Sequence, residues 1–164
     1  MGRQIKIQST DWAYIAGFLD GDGSIIIQLK KRKDTKRGWR LMFTICFYQD
    51  TRHEKPLFWI KKKLGIGYIS HRKDGITEFR INGFEQLESI MKGLCPYVKF
   101  KKKQVSCVLK ILQIIGSKES LFALKKQDKK RIAKAILQAR QENYQSGSKR
   151  IEKLKLDLEI LINS

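Results

Sequence analysis

Two aspartates separated by one glycine, Asp20 and Asp22, close an apolar run that reads Trp12-Ala-Tyr-Ile-Ala-Gly-Phe-Leu-Asp-Gly-Asp-Gly-Ser24. Carboxylates are hard oxygen donors, the chemistry that holds divalent cations. The Asp20-Gly-Asp22-Gly-Ser24 spacing matches the first three ligand positions of a calcium-binding EF-hand loop. The match then fails, because Ile25 stands where that loop needs glycine and Lys31 where it needs glutamate. Gly21-x-Gly23 is no dinucleotide fingerprint either, since a strand pattern follows it and not a helix. The run itself reads as a short helix, and carboxylates at a helix C-terminus oppose its dipole. A nearby cation would compensate. On local pattern alone, a glycine-rich helix stop with a capping aspartate is an equally good reading.

The elements that must position these groups follow from residue size and period. Ala13, Gly17 and Gly21 fall four apart and form one smooth face on the helix. Small residues in that pattern let two backbones approach closely. The helix is too short, and too near two aspartates, to span a bilayer. Thr10 and Asp11 are suitable N-cap residues for its start.

Charge narrows the partner. The 164 residues carry 35 Lys and Arg against 16 Asp and Glu, a formal charge of +19, with a globular hydrophobic fraction of 41%. Such an excess points to a polyanion. The basic residues are spread along the chain rather than gathered on one amphipathic helix, and no lipidation signal is evident, so nucleic acid is favoured over a membrane surface. Cys46, Cys95 and Cys107 lack a C-x-x-C spacing and read as free thiols in a reducing compartment. The N-terminus has no apolar stretch of signal type, so the protein is expected to work where it is translated.

After Gly23 the period changes from helical to alternating. Ile25, Ile27 and Leu29 face a core while Gln28, Lys30 and Arg32 face away. A basic connection through Lys36, Arg37 and Gly38 leads to a return strand with Leu41, Phe43, Ile45 and Phe47 inward and Arg40, Met42, Thr44, Cys46 and Tyr48 outward. Pro56 opens a helix through about Leu64, with Leu57, Ile60 and Leu64 buried. A second hairpin spans about Tyr68 to Asn82, turning at Lys73-Asp-Gly75. Asn82 is positioned to cap a helix carrying Phe84, Leu87, Ile90, Met91 and Leu94. A further helix carries Val105, Val108, Leu109 and Leu112. Beyond Ser117 come two more helices, one with Ile132, Ala135, Ile136 and Ala139, the other with Ile151, Leu154, Leu158 and Leu161. The last is expected to pack on the chain's own core rather than in a coiled coil.

The stretch Tyr14-Ile-Ala-Gly-Phe-Leu-Asp-Gly-Asp-Gly-Ser24 resembles the motif of the LAGLIDADG homing endonucleases. The resemblance continues through Gln49, Leu64-Gly-Ile-Gly-Tyr68 and Pro96-Tyr-Val-Lys-Phe-Lys-Lys-Lys-Gln104, covering most of residues 10–115. It is strongest to the compact single-motif members, which act as homodimers and are encoded in organelle introns. It implies an α+β fold with an αββαββα core (about 10–115), a curved antiparallel sheet forming a saddle, and a C-terminal helical extension (about 117–164), all in one domain of residues 1–164.

The resemblance also implies function. Ala13, Gly17 and Gly21 would form the dimer interface, bringing Asp22 of each subunit together. Two bare carboxylates repel, and a divalent metal converts that repulsion into a binding site. Magnesium suits the role, with manganese able to substitute. Asp22 and the Gly21 carbonyl would be metal ligands and Asp20 structural. Gln49 and Lys101 would order water and offset charge; His53 takes a third such position, with Arg52 beside it. The DNA-reading positions would be Gln28, Lys30, Arg32, Arg40 and Cys46 on the first hairpin and Ser70, Arg72, Glu78 and Arg80 on the second, with Lys36 and Arg37 on phosphate. The implied activity is a metal-dependent double-strand break in a long pseudopalindromic DNA site, promoting intron homing. The organelle would be the chloroplast first and the mitochondrion second, with no membrane or small-molecule cofactor. Two alternatives are a non-cleaving intron RNA maturase and a structural RNA-binding protein.

Overall fold

A computed structural model describes residues 7–31, 38–84, 86–116, 121–143 and 147–164. Arg32, Lys36 and Arg37 lie outside the described residues. Helix α1 (Ser9–Asp22) is followed by strands β1 (Gly23–Lys31) and β2 (Trp39–Asp50), helix α2 (Lys55–Leu64), strands β3 (Tyr68–His71) and β4 (Ile76–Asn82), and helix α3 (Leu87–Leu94). Helices α4 (Lys102–Ile115), α5 (Lys126–Gln141) and α6 (Ser148–Asn163) complete the chain. The order α1-β1-β2-α2-β3-β4-α3 is the expected αββαββα arrangement. The sheet order is β1-β2-β4-β3, with β4 antiparallel to both β2 and β3.

The residues divide into two compact units. The first, residues 1–26 and 43–102, holds α1, α2, β3, β4, α3 and the inner part of the first hairpin. Its sheet buries the residues the alternation assigns to the core. Ile45 pairs with Ile81 and Phe47 with Phe79 across β2 and β4, and all four are inaccessible or nearly so. Phe47 stacks on Phe79 at 5.7 Å, and Phe18 of α1 meets Phe47 at 6.0 Å, so the rings tie α1 to the sheet. On α1 itself Ile15, Ala16 and Leu19 are buried. Gly93 of α3 receives the indole of Trp12, which a Cβ at that position would strike. Gly65 ends α2 in the left-handed region (φ 71°), where a side chain would be strained, and its N–H donates to the Lys61 carbonyl.

The second unit, residues 27–42 and 103–164, contains the outer hairpin and the three C-terminal helices. Ile132, Ala135, Ile136 and Ala139 of α5 are buried, and α6 lies against α5 with Leu158 and Leu161 buried. Ile151 and Leu154 are half-buried, as a helix seated at the margin of its unit requires.

Two capping expectations are corrected. Helix α1 starts at Ser9, the Trp12 amide donating to the Gln8 carbonyl at 3.0 Å, so Thr10 and Asp11 lie inside it. Asp11 pairs instead with Lys63 of α2 at 2.7 Å. Asn82 does not cap α3, which begins five residues later. Its register partner is Thr44, whose hydroxyl donates to the Asn82 Oδ1 at 2.7 Å, so cross-strand pairing takes the side chain.

Candidate active site

Asp22 is the last residue of α1 and is exposed. Among the described residues its carboxylate takes part in no hydrogen bond or ion pair. Asp20, two residues earlier, is fully engaged. Its Oδ2 accepts from the amides of Lys99 (2.6 Å) and Phe100 (3.2 Å), and its Oδ1 from the amide of Lys101 (3.0 Å). The turn before α4 is thereby held against the end of α1, which makes Asp20 the structural carboxylate. Charge-assisted bonds to backbone amides are the stronger kind. Asp20→Ala should therefore destabilise the fold by about 2–3 kcal/mol, read as a shift in urea midpoint; unchanged stability would refute the structural role.

The same turn delivers Lys101. Its ammonium donates to the Asp20 carbonyl at 2.8 Å. Burial pushes its pKa below the ordinary lysine value, opposed by the carboxylates of Asp20 and Asp22. Lys101 therefore sits within the electrostatic reach of Asp22 while anchored by its neighbour. Gln49 stands at the end of β2, half-buried, its Oε1 accepting from the Asp50 amide at 2.9 Å.

Arg52 and His53 differ in their surroundings. Arg52 forks onto Asp50, Nε to Oδ1 at 3.0 Å and Nη2 to Oδ2 at 2.8 Å, and this holds the Asp50 carboxyl well below the usual range. His53 is exposed in the short turn Thr51–His53, outside that pair. The turn is fixed by Thr51, whose amide and hydroxyl both donate to the Gly75 carbonyl at 2.9 Å. Beside it is a cluster the sequence reading missed. Glu54 Oε2 meets His71 Nε2 at 2.7 Å and accepts from the Thr77 hydroxyl at 2.7 Å. The Thr77 bond, then His71, lowers the Glu54 pKa. These residues tie α2 to the second hairpin, and only the β3–β4 register, with His71 opposite Thr77, brings them together.

On the hairpin surfaces, Gln28, Lys30 and Arg40 are exposed, as is Arg72. Ser70 and Arg80 are half-exposed. Cys46 and Glu78 depart from the expectation. Cys46 has no accessible surface and Glu78 is 4% exposed. Both point to the outward face, but Arg80 lies opposite Cys46 and Tyr48 opposite Glu78, and these longer side chains roof them. Burial pushes the Cys46 thiol pKa up. Thr44, 9% exposed, is covered in the same way. Cys46 and Glu78 thus lie beneath the accessible surface of that face.

The face of α1 opposite the core is bare. Ala13, Gly17 and Gly21 are exposed, and a Cβ built on Gly17 or Gly21 would meet nothing within 4 Å. Among the described residues no three His, Cys, Asp or Glu side chains converge as a metal centre. Among the described residues, one chain thus offers a single unbonded carboxylate, that of Asp22, at this end of α1.

Residues 15–114 match the family described as LAGLIDADG endonuclease. The chain belongs to the LAGLIDADG endonuclease family. It is 35% identical over 108 residues to the DNA endonuclease I-CreI of Chlamydomonas reinhardtii and 33% identical over 102 residues to the DNA endonuclease I-CvuI of Chlorella vulgaris. Those matches take in 65% and 62% of this chain and 66% and 63% of the relatives' own lengths. The crystal structure of I-CvuI in complex with its target superposes with a TM-score of 0.70 at 28% identity, covering 93% of this chain and 95% of that one. The archaeal intron-encoded endonuclease I-Vdi141I, complexed with DNA, shares the fold with a TM-score of 0.74 at 22% identity over 94% of this chain and 96% of that one. The α+β LAGLIDADG fold expected from the motif is the one observed. No helix among the described residues is long and apolar enough to cross a membrane.

Proposed function

We propose that this chain is one LAGLIDADG domain of a homodimeric, site-specific DNA endonuclease that breaks both strands of a long, nearly palindromic site and so promotes homing of its intron. The observation that carries the proposal is the pairing of a free Asp22 carboxylate with a bare small-residue face on the same helix, Lys101 being anchored alongside. Family membership and the DNA-bound relatives support it.

The residues present fit a hard divalent cation. The donors are all oxygens, from the Asp22 carboxylate and the Gly21 carbonyl, at a helix end where partial negative charge already gathers. I-CvuI structures were obtained with calcium and with magnesium, which supports a divalent metal here; we assign Mg2+, with Mn2+ as a substitute. When bound, such an ion supplies charge stabilisation for phosphodiester hydrolysis. The chain's own groups do the rest. Asp22 and the Gly21 carbonyl would hold the cation. Lys101, fixed by the Asp20 carbonyl, offsets negative charge developing on phosphate oxygens. Gln49 and His53 lie on the strand end and the turn after it, where a polar side chain orders water. Arg52, spent on Asp50, leaves that task to His53. Gln28, Lys30, Arg40, Ser70, Arg72 and Arg80 face DNA.

The green-algal relatives support an organelle, the chloroplast before the mitochondrion. Selection of cleaved sites from a random DNA library with magnesium tests the function. One long pseudopalindromic site is the expected product; binding to RNA with no DNA cut would favour a maturase instead. Binding should also weaken with a log–log salt slope of roughly −0.9 per phosphate neutralised. A flat response in a filter-binding titration would contradict the charge argument.

A further inference from the structure

Glu78 is almost fully buried on the outward face of the sheet, and both of its oxygens are occupied by arginine. Oε2 takes the Nε of Arg80 at 2.6 Å and Oε1 the Nη1 of Arg72 at 3.2 Å. Arg72 is committed a second time, its Nη2 lying 2.6 Å from Asp74 Oδ2. The two arginines are therefore unequal. Arg72 has both terminal nitrogens on carboxylates. Arg80 meets Glu78 through Nε, its guanidinium also bonds the Cys46 side chain, and its side chain stays 37% exposed.

The surroundings of Arg80 fix it further. On β4 it lies opposite Cys46 of β2 and Tyr68 of β3, and Cys46 is sealed beneath it. A guanidinium held at Nε and left partly exposed on the outward face can offer N–H donors to guanine, whose O6 and N7 accept a bidentate pair in the major groove. Holding the fork beforehand removes the rotamer freedom that a loose arginine would lose on binding. Glu78, 4% exposed and with each oxygen already on an arginine, is poorly placed to accept from cytosine. Arg80 sits on the inner strand of its hairpin, away from the tip, where base edges rather than phosphates are expected.

We propose that Glu78 is a positioning residue that aims Arg80 at a guanine in each half-site, with Arg72, itself held by Asp74, as the counter-charge that keeps Glu78 in place. This rests on the DNA-endonuclease reading above and names a specificity determinant within it. It also replaces the expectation that Glu78 reads a base.

The test is the sequence profile of DNA half-sites selected by the full-length protein and its variants. Arg80→Ala should abolish a guanine preference at one position per half-site. Glu78→Gln should weaken that preference about tenfold, at that position alone, while binding to unrelated DNA holds or rises because a negative charge is gone. The double variant should match Arg80→Ala, since Glu78 acts through Arg80. Glu78→Asp keeps the charge but is one methylene shorter, should show the same positional loss, and carries the test if Glu78→Gln does not fold. The proposal is overturned if Glu78→Gln leaves the profile unchanged or depresses every position equally. It is overturned too if Arg80→Ala lowers affinity uniformly and flattens the salt slope, the signature of a phosphate contact. Failure of the endonuclease reading looks different: the wild type then selects no DNA sequence, and the positioning role falls with it.

Discussion

Asp22→Asn is expected to lower DNA cleavage by about a thousandfold or more, equivalent to roughly 4 kcal/mol of transition-state stabilisation. The substitution keeps the shape of the side chain and removes the charge that holds a cation. Its structural cost should be small, because the carboxylate is exposed and carries no bond among the described residues. Asp20 makes the contrast. Its carboxylate anchors three amides, so changing it attacks the fold rather than the chemistry. Binding to the target should survive Asp22→Asn, since one carboxylate fewer reduces repulsion of the backbone. Gel-shift and cleavage assays on the same preparation check both halves; cleavage at wild-type rate would remove the metal role from Asp22.

Gly17→Leu is expected to weaken self-association about a hundredfold or more while leaving the monomer folded. A Cβ on Gly17 meets nothing within 4 Å in a single chain, so the larger side chain has room there. Replacing glycine inside a helix even favours the helix, by about 0.8 kcal/mol. The cost arises only when a second copy approaches. Overpacking a close contact costs roughly 1–3 kcal/mol per site, and a two-fold interface repeats it. Loss of activity should follow loss of the dimer. Sedimentation shows the association and thermal melting the stability; a normal dimer in the variant would mean that α1 is not the contact.

How far the sequence alone reached is best seen strand by strand. On β2 the alternation placed Leu41, Phe43, Ile45 and Phe47 in the core, where they are buried, because they are large and apolar and the period of two decides their side. It misjudged the opposite face. Thr44, Cys46 and Glu78 do point outward, but their burial is set by longer side chains on neighbouring strands. Cys46 and Arg80 are far apart in sequence, and local period carries no information about their meeting. The same limit explains Asp20. A structural role at the helix end was legible; the acceptor set on Lys99, Phe100 and Lys101 was not. The Glu54–His71–Thr77 cluster left no sequence signal, since it depends on strand register and the path of the turn before α2. The motif itself was the most legible feature, because glycine spacing and paired carboxylates combine two constraints in one short run.

The most direct measurement mixes wild-type and Asp22→Asn subunits, one of them tagged, isolates the heterodimer and scores each strand of a labelled target. If each subunit supplies the carboxylate for one strand, the heterodimer nicks a single strand and leaves the other intact. Full double-strand cleavage by that heterodimer would contradict the account, because one Asp22 would then suffice for both.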